Sequence, residues 1–441
     1  MATLISGAER VFAVKTVLKE KLKKDPIRLQ QELILLRDLD HPNIVKFYQT
    51  FEDGYQVHFV MEYCSGGNLG DYIKKRGLPS EERASRIMAN AFAAVCYLHS
   101  KGIVHRDIKE ENFLFLDKST DAEIKLIDFG LSQIMAPQER LSAKAGTPLY
   151  MAPEVFQRNY DHRCDYWSLG VMMYIYLVGT PPIDAKTSAA LAKAVIEEEP
   201  SFEGKQWASI SPEAKDLCKK LLTKDPSKRI SASEALQHPW IKAGSKEVSF
   251  DVQTIEKAFH SLRQFSSKKK FVKEVLKILV AILDDKHILP MKSLFHYFDK
   301  GRDGEITFNS LKKIVREINV EITDEELIAL IQNMHSYGKS PSISYTEFVV
   351  ATIDPKVYTS NDKLWILFKH FDLENLESIS IGNLREEMAR SGKMVRSEEI
   401  DEMLKEVNIS DRRRINFNDF CLILKDKFHK LDKKPSSTFN I

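Results

Sequence analysis

The stretch HRDIKEENF (105–113), followed by IDFG (127–130) and GTPLYMAPE (146–154), decides how this chain is read. The three runs place Asp107, Lys109, Asn112 and Asp128 in one polar, loop-rich segment from 105 to 154. Amphipathic helical patterns lie on either side of it, SEERASRIMANAFAAVCYLHSKG (80–102) before and SPEAKDLCKKLL (211–222) after. Loops held on a packed helical scaffold can present polar side chains without disturbing the core, so chemistry is expected there. Further upstream, the β-type runs VFAVKTVL (11–18), NIVKFYQTF (43–51) and VHFVMEY (57–63) enclose one pattern of helical period, IRLQQELILLRDL (27–39). Period two giving way to period 3.6 predicts a small sheet-plus-helix lobe followed by a helical one.

At 441 residues, 43% hydrophobic and 29% charged, the chain has material for two or three packed domains. Sixty-five basic residues against sixty-three acidic ones leave a net charge of +2, so no bulk field favours nucleic acid or an anionic membrane. The five cysteines are scattered without CxxC spacing, which fits a reducing compartment and excludes a disulfide frame or zinc site. The longest apolar run, KILVAIL (277–283), is too short to span a bilayer, and the start lacks a signal-peptide pattern. A cytoplasmic monomer with no nucleic-acid or membrane partner is expected.

Taken together, the three ordered motifs resemble those of the eukaryotic protein kinases over about residues 10–242, and Lys109 with the Gly-Thr before APE resembles the serine/threonine branch. The resemblance implies an α+β two-lobed protein kinase fold that transfers the γ-phosphate of ATP to hydroxyls of protein substrates, a reaction in which the protein mainly positions groups and neutralises charge. It gives Asp107 the proton of the substrate hydroxyl and sets Lys109 against the moving phosphoryl group. Asn112 and Asp128 are assigned to Mg2+, which prefers hard oxygen donors. Lys15 of FAVK would hold the α- and β-phosphates, fixed by Glu32 of QQELILL. Backbone groups around Met61, Glu62 and Cys64 would receive adenine, with Met61 gating the deeper pocket. Glu111 is assigned to the nucleotide site, and together with Asn68 of GGNLGD it bears on any preference for basic substrates. Glu154 with Arg229, and Asp165, would brace the large lobe. Arg106 would meet an activation-loop phosphate or carboxylate, with Ser142 the candidate phosphosite and Thr147 a support for the catalytic centre.

Fourteen residues precede Lys15, fewer than the roughly 20 needed for a strand, a GxGxxG turn and a second strand. The expectation is a small lobe that lacks its first strand and glycine-rich loop, from an N-terminally truncated chain or from a short form of weak turnover. A second reading stays open on that account: a non-catalytic pseudokinase or scaffold that uses the fold to bind proteins. The unsubstituted Lys15, Glu32, Asp107, Asn112 and Asp128 oppose it.

Downstream, the isoleucines Ile306, Ile343, Ile379 and Ile415 of EITF, SISY, SISI and RINF lie 37, 36 and 36 residues apart, marking four copies of helix, loop, short extended piece and helix. These copies resemble EF-hands, and the whole chain resembles the calcium-dependent protein kinases of plants and protists. That family implies an autoinhibitory-type junction, 243–289, which blocks the active site until the hand lobe captures it as an amphipathic helix in a groove. KKK (268–270) and the apolar run behind it suit such a helix. The expected domains are therefore a kinase domain (1–242), the junction, paired hands (290–356 and 360–430, together 290–430) and a disordered tail (431–441).

The calcium chemistry departs from the family. A hand needs oxygen ligands at loop positions 1, 3, 5 and 12 and glycine at 6. The first loop, DKGRDGEITFNS (299–310), keeps Asp299, Asp303, Gly304 and Glu305 but closes on Ser310, so weak Ca2+ binding is expected. The second, SYGKSPSISYTE (336–347), keeps the closing Glu347 but has Ser336, Gly338 and Pro341 elsewhere; the third, DLENLESISIGN (372–383), has Leu376 and Asn383 at ligand positions. The fourth, NISDRRRINFND (408–419), sets Arg412, Arg413 and Arg414 where a dication would sit, and like charges repel. A calcium-independent lobe that holds or releases the junction is the expected use.

Overall fold

The computed structural model describes residues 2–3, 11–20, 34–244, 249–283, 285–335, 341–390, 397–407 and 414–425. Glu32, the tail, Ser336, Gly338, Arg412 and Arg413 lie outside the described residues.

The small lobe is an antiparallel sheet of β1 (Ala2–Thr3), β2 (Val11–Leu18), β3 (Phe47–Glu52) and β4 (Gln56–Glu62), in the order β1-β2-β4-β3. β2 runs along β4 with Val14 opposite Val60 and Lys15 opposite Phe59. Phe12 and Phe59 are buried on the sheet, while Lys15 keeps a half-exposed side chain. Of the predicted helix 27–39, residues 34–38 are described and helical, and Leu35 and Leu36 are buried.

The large lobe is built around the helix Cys164–Val178, which is apolar on nearly every side and correspondingly buried all round. Gly170 lets it approach its neighbour closely, because a Cβ there would lie 2.8 Å from that of Leu221. The helix Glu81–Ser100, capped by Ser80 accepting from the Arg83 N–H, packs beside it. Both lobes share one hydrophobic core.

A second core joins the junction to the hands. In the sequence, KKK (268–270) and the apolar run behind it suit one amphipathic helix of the junction. The structure divides the junction into Val252–Ser266 and Lys270–Ile282, with the break at the lysine run. The expected junction boundary after 289 falls inside the next helix, Asp285–Phe298. Ile255, Phe259, Leu262, Phe271, Val275, Leu276 and Leu279 bury the junction's apolar face among the helices of the hands. At roughly 1.5–3 kcal/mol per buried large apolar side chain, that face is the main attachment. Within each pair of hands the loops meet through short antiparallel strands, with Ile306 opposite Ile343 and Ile379 opposite Ile415, so the isoleucines of the repeat are each other's partners.

The hands also touch the kinase lobes. Thr346 donates to Asp40 (2.7 Å) and accepts from Lys46 (2.8 Å), whose amine also pairs with Asp40 at 3.0 Å. Lys292 donates to the Pro42 carbonyl at 3.1 Å, and Lys101 pairs with Glu305. These contacts fall on residues 40–46 and 101, and the junction helices pack among the hands, the captured one of the two arrangements that the family resemblance implies.

Candidate active site

Two short antiparallel strand pairs, the second a hairpin, carry the polar centre. Ile103–Val104 pairs with Gln133–Ile134, and Phe113–Phe115 pairs with Ile124–Leu126. Burial of Phe113, Phe115, Ile124 and Leu126 fixes the hairpin, leaving the catalytic loop on one side of it and Asp128 just beyond the other. The Ile127 N–H donates to the Asn112 carbonyl at 3.0 Å, tying the two sides together.

Asp107 is held by three neighbours. Its Oδ1 accepts from the Thr147 N–H (3.0 Å) and hydroxyl (2.8 Å), and its Oδ2 meets the Lys109 amine (2.8 Å) and the Asn112 amide (3.1 Å). Lys109 also donates to the Thr147 hydroxyl at 2.8 Å. Burial pushes the Asp107 carboxyl up, but the Lys109 and Thr147 hydrogen bonds outweigh it and keep the group below the usual carboxylate range. Gly146 is required beside this cluster: its φ is +109°, and a Cβ there would lie 2.4 Å from the Arg106 carbonyl.

Asp128 is 48% exposed on its side chain and lies 3.4 Å from the Lys15 amine. Here too burial acts upward, and Lys15 with the Gly130 N–H brings the carboxyl below its usual value. Asn112 spends its NH2 on Asp107, which leaves its amide oxygen as the side chain's acceptor. A carboxylate and an amide oxygen on adjoining backbone are a donor set that fits Mg2+.

The other predicted positions fall around this centre. Met61 and Glu62 end β4 and Cys64 follows it. The Glu62 side chain pairs with Lys125 at 2.8 Å and accepts from the Lys46 N–H, so it is committed to the protein and any adenine contact here falls to the backbone. Glu111 is exposed. Asp165 accepts from the His105 and Arg106 N–H groups at 2.9 and 2.8 Å and holds Arg106 at φ 68°, a left-handed conformation uncommon outside glycine. Arg229 grips Glu154 at 2.5 and 3.0 Å deep in the large lobe.

The Arg106 Nε donates to the Leu131 carbonyl at 2.6 Å, and among the described residues its guanidinium forms no ion pair with a carboxylate. The activation segment is fastened by another arginine. Arg140 donates to Asp161 (2.6 Å), to the Asn159 side chain (2.9 Å) and to the Asn159 carbonyl (2.8 Å), while Leu141 and Tyr160 exchange backbone hydrogen bonds. Sequence reasoning missed this clamp, because Arg140 and Asp161 belong to no motif. It also missed Glu110, which lies buried behind the catalytic loop, accepts from the Tyr150 hydroxyl and is pushed up to about 7 by burial.

Residues 3–241 match the family described as the protein kinase domain. The chain is 38% identical to "Calcium-dependent protein kinase 3" of Plasmodium berghei over 94% of its own length and 76% of that protein's. It is 40% identical to the protein of the same description from Plasmodium yoelii yoelii over 84% and 69%, respectively. Against "Calcium-dependent protein kinase 17" of Arabidopsis thaliana the identity is 34% over 94% and 78%. Among the described residues no helix is long and apolar enough to cross a membrane.

Proposed function

The chain belongs to the calcium-dependent protein kinase family and is a serine/threonine protein kinase; from that premise we propose how its own residues perform and regulate the transfer. The likenesses give no support to the non-catalytic alternative. The observation that carries the mechanism is the four-way junction at Asp107. Lys109, Thr147 and Asn112 fix both carboxylate oxygens, so the group enters the reaction already oriented and needs little reorganisation. Asp107 orients the substrate hydroxyl and accepts its proton. Lys109 bridges Asp107 and Thr147 and lies where negative charge develops. Thr147, on the segment that supports the substrate chain, couples substrate placement to the catalytic loop.

ATP supplies the phosphoryl group and Mg2+ neutralises its charge. Asn112 and Asp128 hold the metal, Lys15 holds the phosphates with Glu32 as its fixing carboxylate, and the Met61 to Cys64 backbone receives the base, with Glu111 at the edge of the site. The substrates are proteins, and the regulatory partner is the chain's own lobe of hands. The protein acts as a cytoplasmic monomer.

Calcium acts weakly, at the first hand. Asp299 is buried, its Oδ2 accepts from the Gly304 N–H at 2.9 Å, and among the described residues its Oδ1 has no hydrogen-bond partner. Burial first, and then Asp303, push the Asp299 carboxyl well up, so a cation would relieve the pair. Asp303 and the Glu305 position complete a partial ligand set, but Ser310 provides no bidentate closure, so the site fits Ca2+ and holds it poorly. The test is phosphate transfer to a serine/threonine peptide, with Asp107→Asn and Asp128→Ala as controls and calcium titrated. Transfer that both controls abolish supports the assignment, and transfer that survives either one contradicts it.

A further inference from the structure

We propose that in the second hand the ammonium of Lys277, on the junction helix Lys270–Ile282, takes the place of a metal ion, so that the lobe holds the junction without calcium. The pair itself is plain. Lys277 Nζ lies 2.8 Å from Glu347 Oε1 and 3.1 Å from Glu274 Oε1. Glu347 is the closing glutamate of that loop, the residue whose two oxygens would embrace a dication. Neither oxygen is available. His335 also meets Oε1 at 2.8 Å, and Oε2 accepts from the Ser344 N–H at 3.1 Å in the cap of the exiting helix Tyr345–Thr352. Side-chain exposures of 12% for Lys277, 6% for Glu347 and 4% for Glu274 put the cluster in a poorly solvated site, where opposite charges bind strongly and an unpaired one is costly. Lys277 is accordingly held above the ordinary lysine range, its two carboxylates outweighing burial.

The same helix reaches the other side of the loop. One turn earlier, Lys273 donates to the Asn333 carbonyl, in the last turn of the entering helix Asp324–Met334, and to the Ser266 carbonyl at 2.7 Å. A cation suits the carbonyl-rich end of a helix. Two lysines four residues apart therefore hold the end of the entering helix and the start of the exiting one, the two features that a bound ion draws together. A dication at Glu347 would have to displace Lys277 or lie against it. The third hand repeats the device at the surface: Arg414, from the fourth, pairs with Glu374 at 2.9 Å, and Glu374 stands at position 3 of the third loop.

In the test, the 441-residue chain, Lys277→Met, Glu347→Gln and the double variant are compared for peptide phosphorylation in chelator and in calcium, and for thermal midpoint. The turnover arm rests on the kinase reading; the midpoint arm does not, so a failure of either can be told apart. The expected result is wild-type turnover that differs by less than about twofold between chelator and calcium. Each single variant should lower the midpoint and lose several-fold in turnover. The double variant should recover part of both, because it removes Lys277 and Glu347 together and leaves only Glu274 without that ammonium. A wild-type rate that rises on the order of tenfold or more with calcium would overturn the proposal, as would a Lys277→Met chain with wild-type midpoint or a double variant no better than the singles.

Discussion

The metal-site carboxylate Asp128 and the loop carboxylates of the second and third hands, Glu347 and Asp372, meet opposite fates in this chain. Asp128 keeps 48% of its side chain exposed, facing a lysine at 3.4 Å, a loose contact that a ligand can enter. Glu347 and Asp372 are shut in. Asp372 accepts from the Leu376 and Glu377 N–H groups at 2.9 and 3.0 Å and pairs with Lys369 at 2.9 Å, so the third loop closes on itself. The residue type is the same in both regions. What differs is whether the protein supplies partners for every oxygen, and the comparison teaches that a ligand motif is legible as a site only while its acceptors remain unclaimed.

The comparison breaks most visibly at Asp128. Asp128→Ala should lower peptide phosphorylation by roughly a thousandfold, about 4 kcal/mol of transition-state stabilisation, with the thermal midpoint hardly moved; steady-state kinetics and calorimetry together read both. A smaller effect concerns the clamp on the activation segment. Asp161 is shielded, yet Arg163 and its neighbours outweigh burial and hold its carboxyl at about 2, against 3.8 in the unfolded chain. On lowering the pH the unfolded chain takes up this proton first, so the stabilisation is complete above roughly pH 4 and lost as pH falls toward 2. Asp161→Asn should therefore cost about 1–2 kcal/mol at neutral pH and correspondingly less at the acid end, as followed by denaturant unfolding against pH. Arg140→Ala, which removes the segment's side of that clamp, should lower kcat/KM for peptide by about tenfold and leave KM for ATP unchanged.

Two further variants sharpen the contrast from the side of the hands. Ser310→Glu gives the first loop its missing closing ligand and should tighten calcium binding by on the order of tenfold, read by titration calorimetry; no tightening would mean that the kinase lobe blocks the loop. Thr346→Val removes the hydroxyl shared by Asp40 and Lys46 and should cost the whole chain about 1 kcal/mol in denaturant unfolding, because the Asp40 pair with Lys46 survives it.

The sequence made the two-lobed fold legible because the motifs fall in loops whose flanking strands and helices carry strong periodicity. The isoleucine repeat made the four hands legible, and the structure adds that each isoleucine meets its copy across the pair. The candidate centre was legible at Asp107, Lys109, Asn112, Asp128 and Lys15. What stayed hidden depends on partners distant in the chain. Lys277 lies beside the apolar stripe of its helix, and no local pattern shows that Glu347, seventy residues away, will meet it. Arg140 met Asp161 through a loop whose path follows from the Leu141–Tyr160 bridge, which propensity alone does not give. The break in the junction helix was missed because the lysine run keeps good helix propensity, and tertiary packing against the hands overrides it.

The molecule joins a competent catalytic centre to a lobe in which protein cations stand in for metal. Phosphate transfer to a serine/threonine peptide by the 441-residue chain, measured in chelator and in excess calcium beside Asp128→Ala, tests this most directly. The expected result is transfer in chelator that calcium changes by less than about twofold and that the variant abolishes. Transfer absent in chelator and switched on by calcium, or no transfer above the variant under either condition, would contradict it.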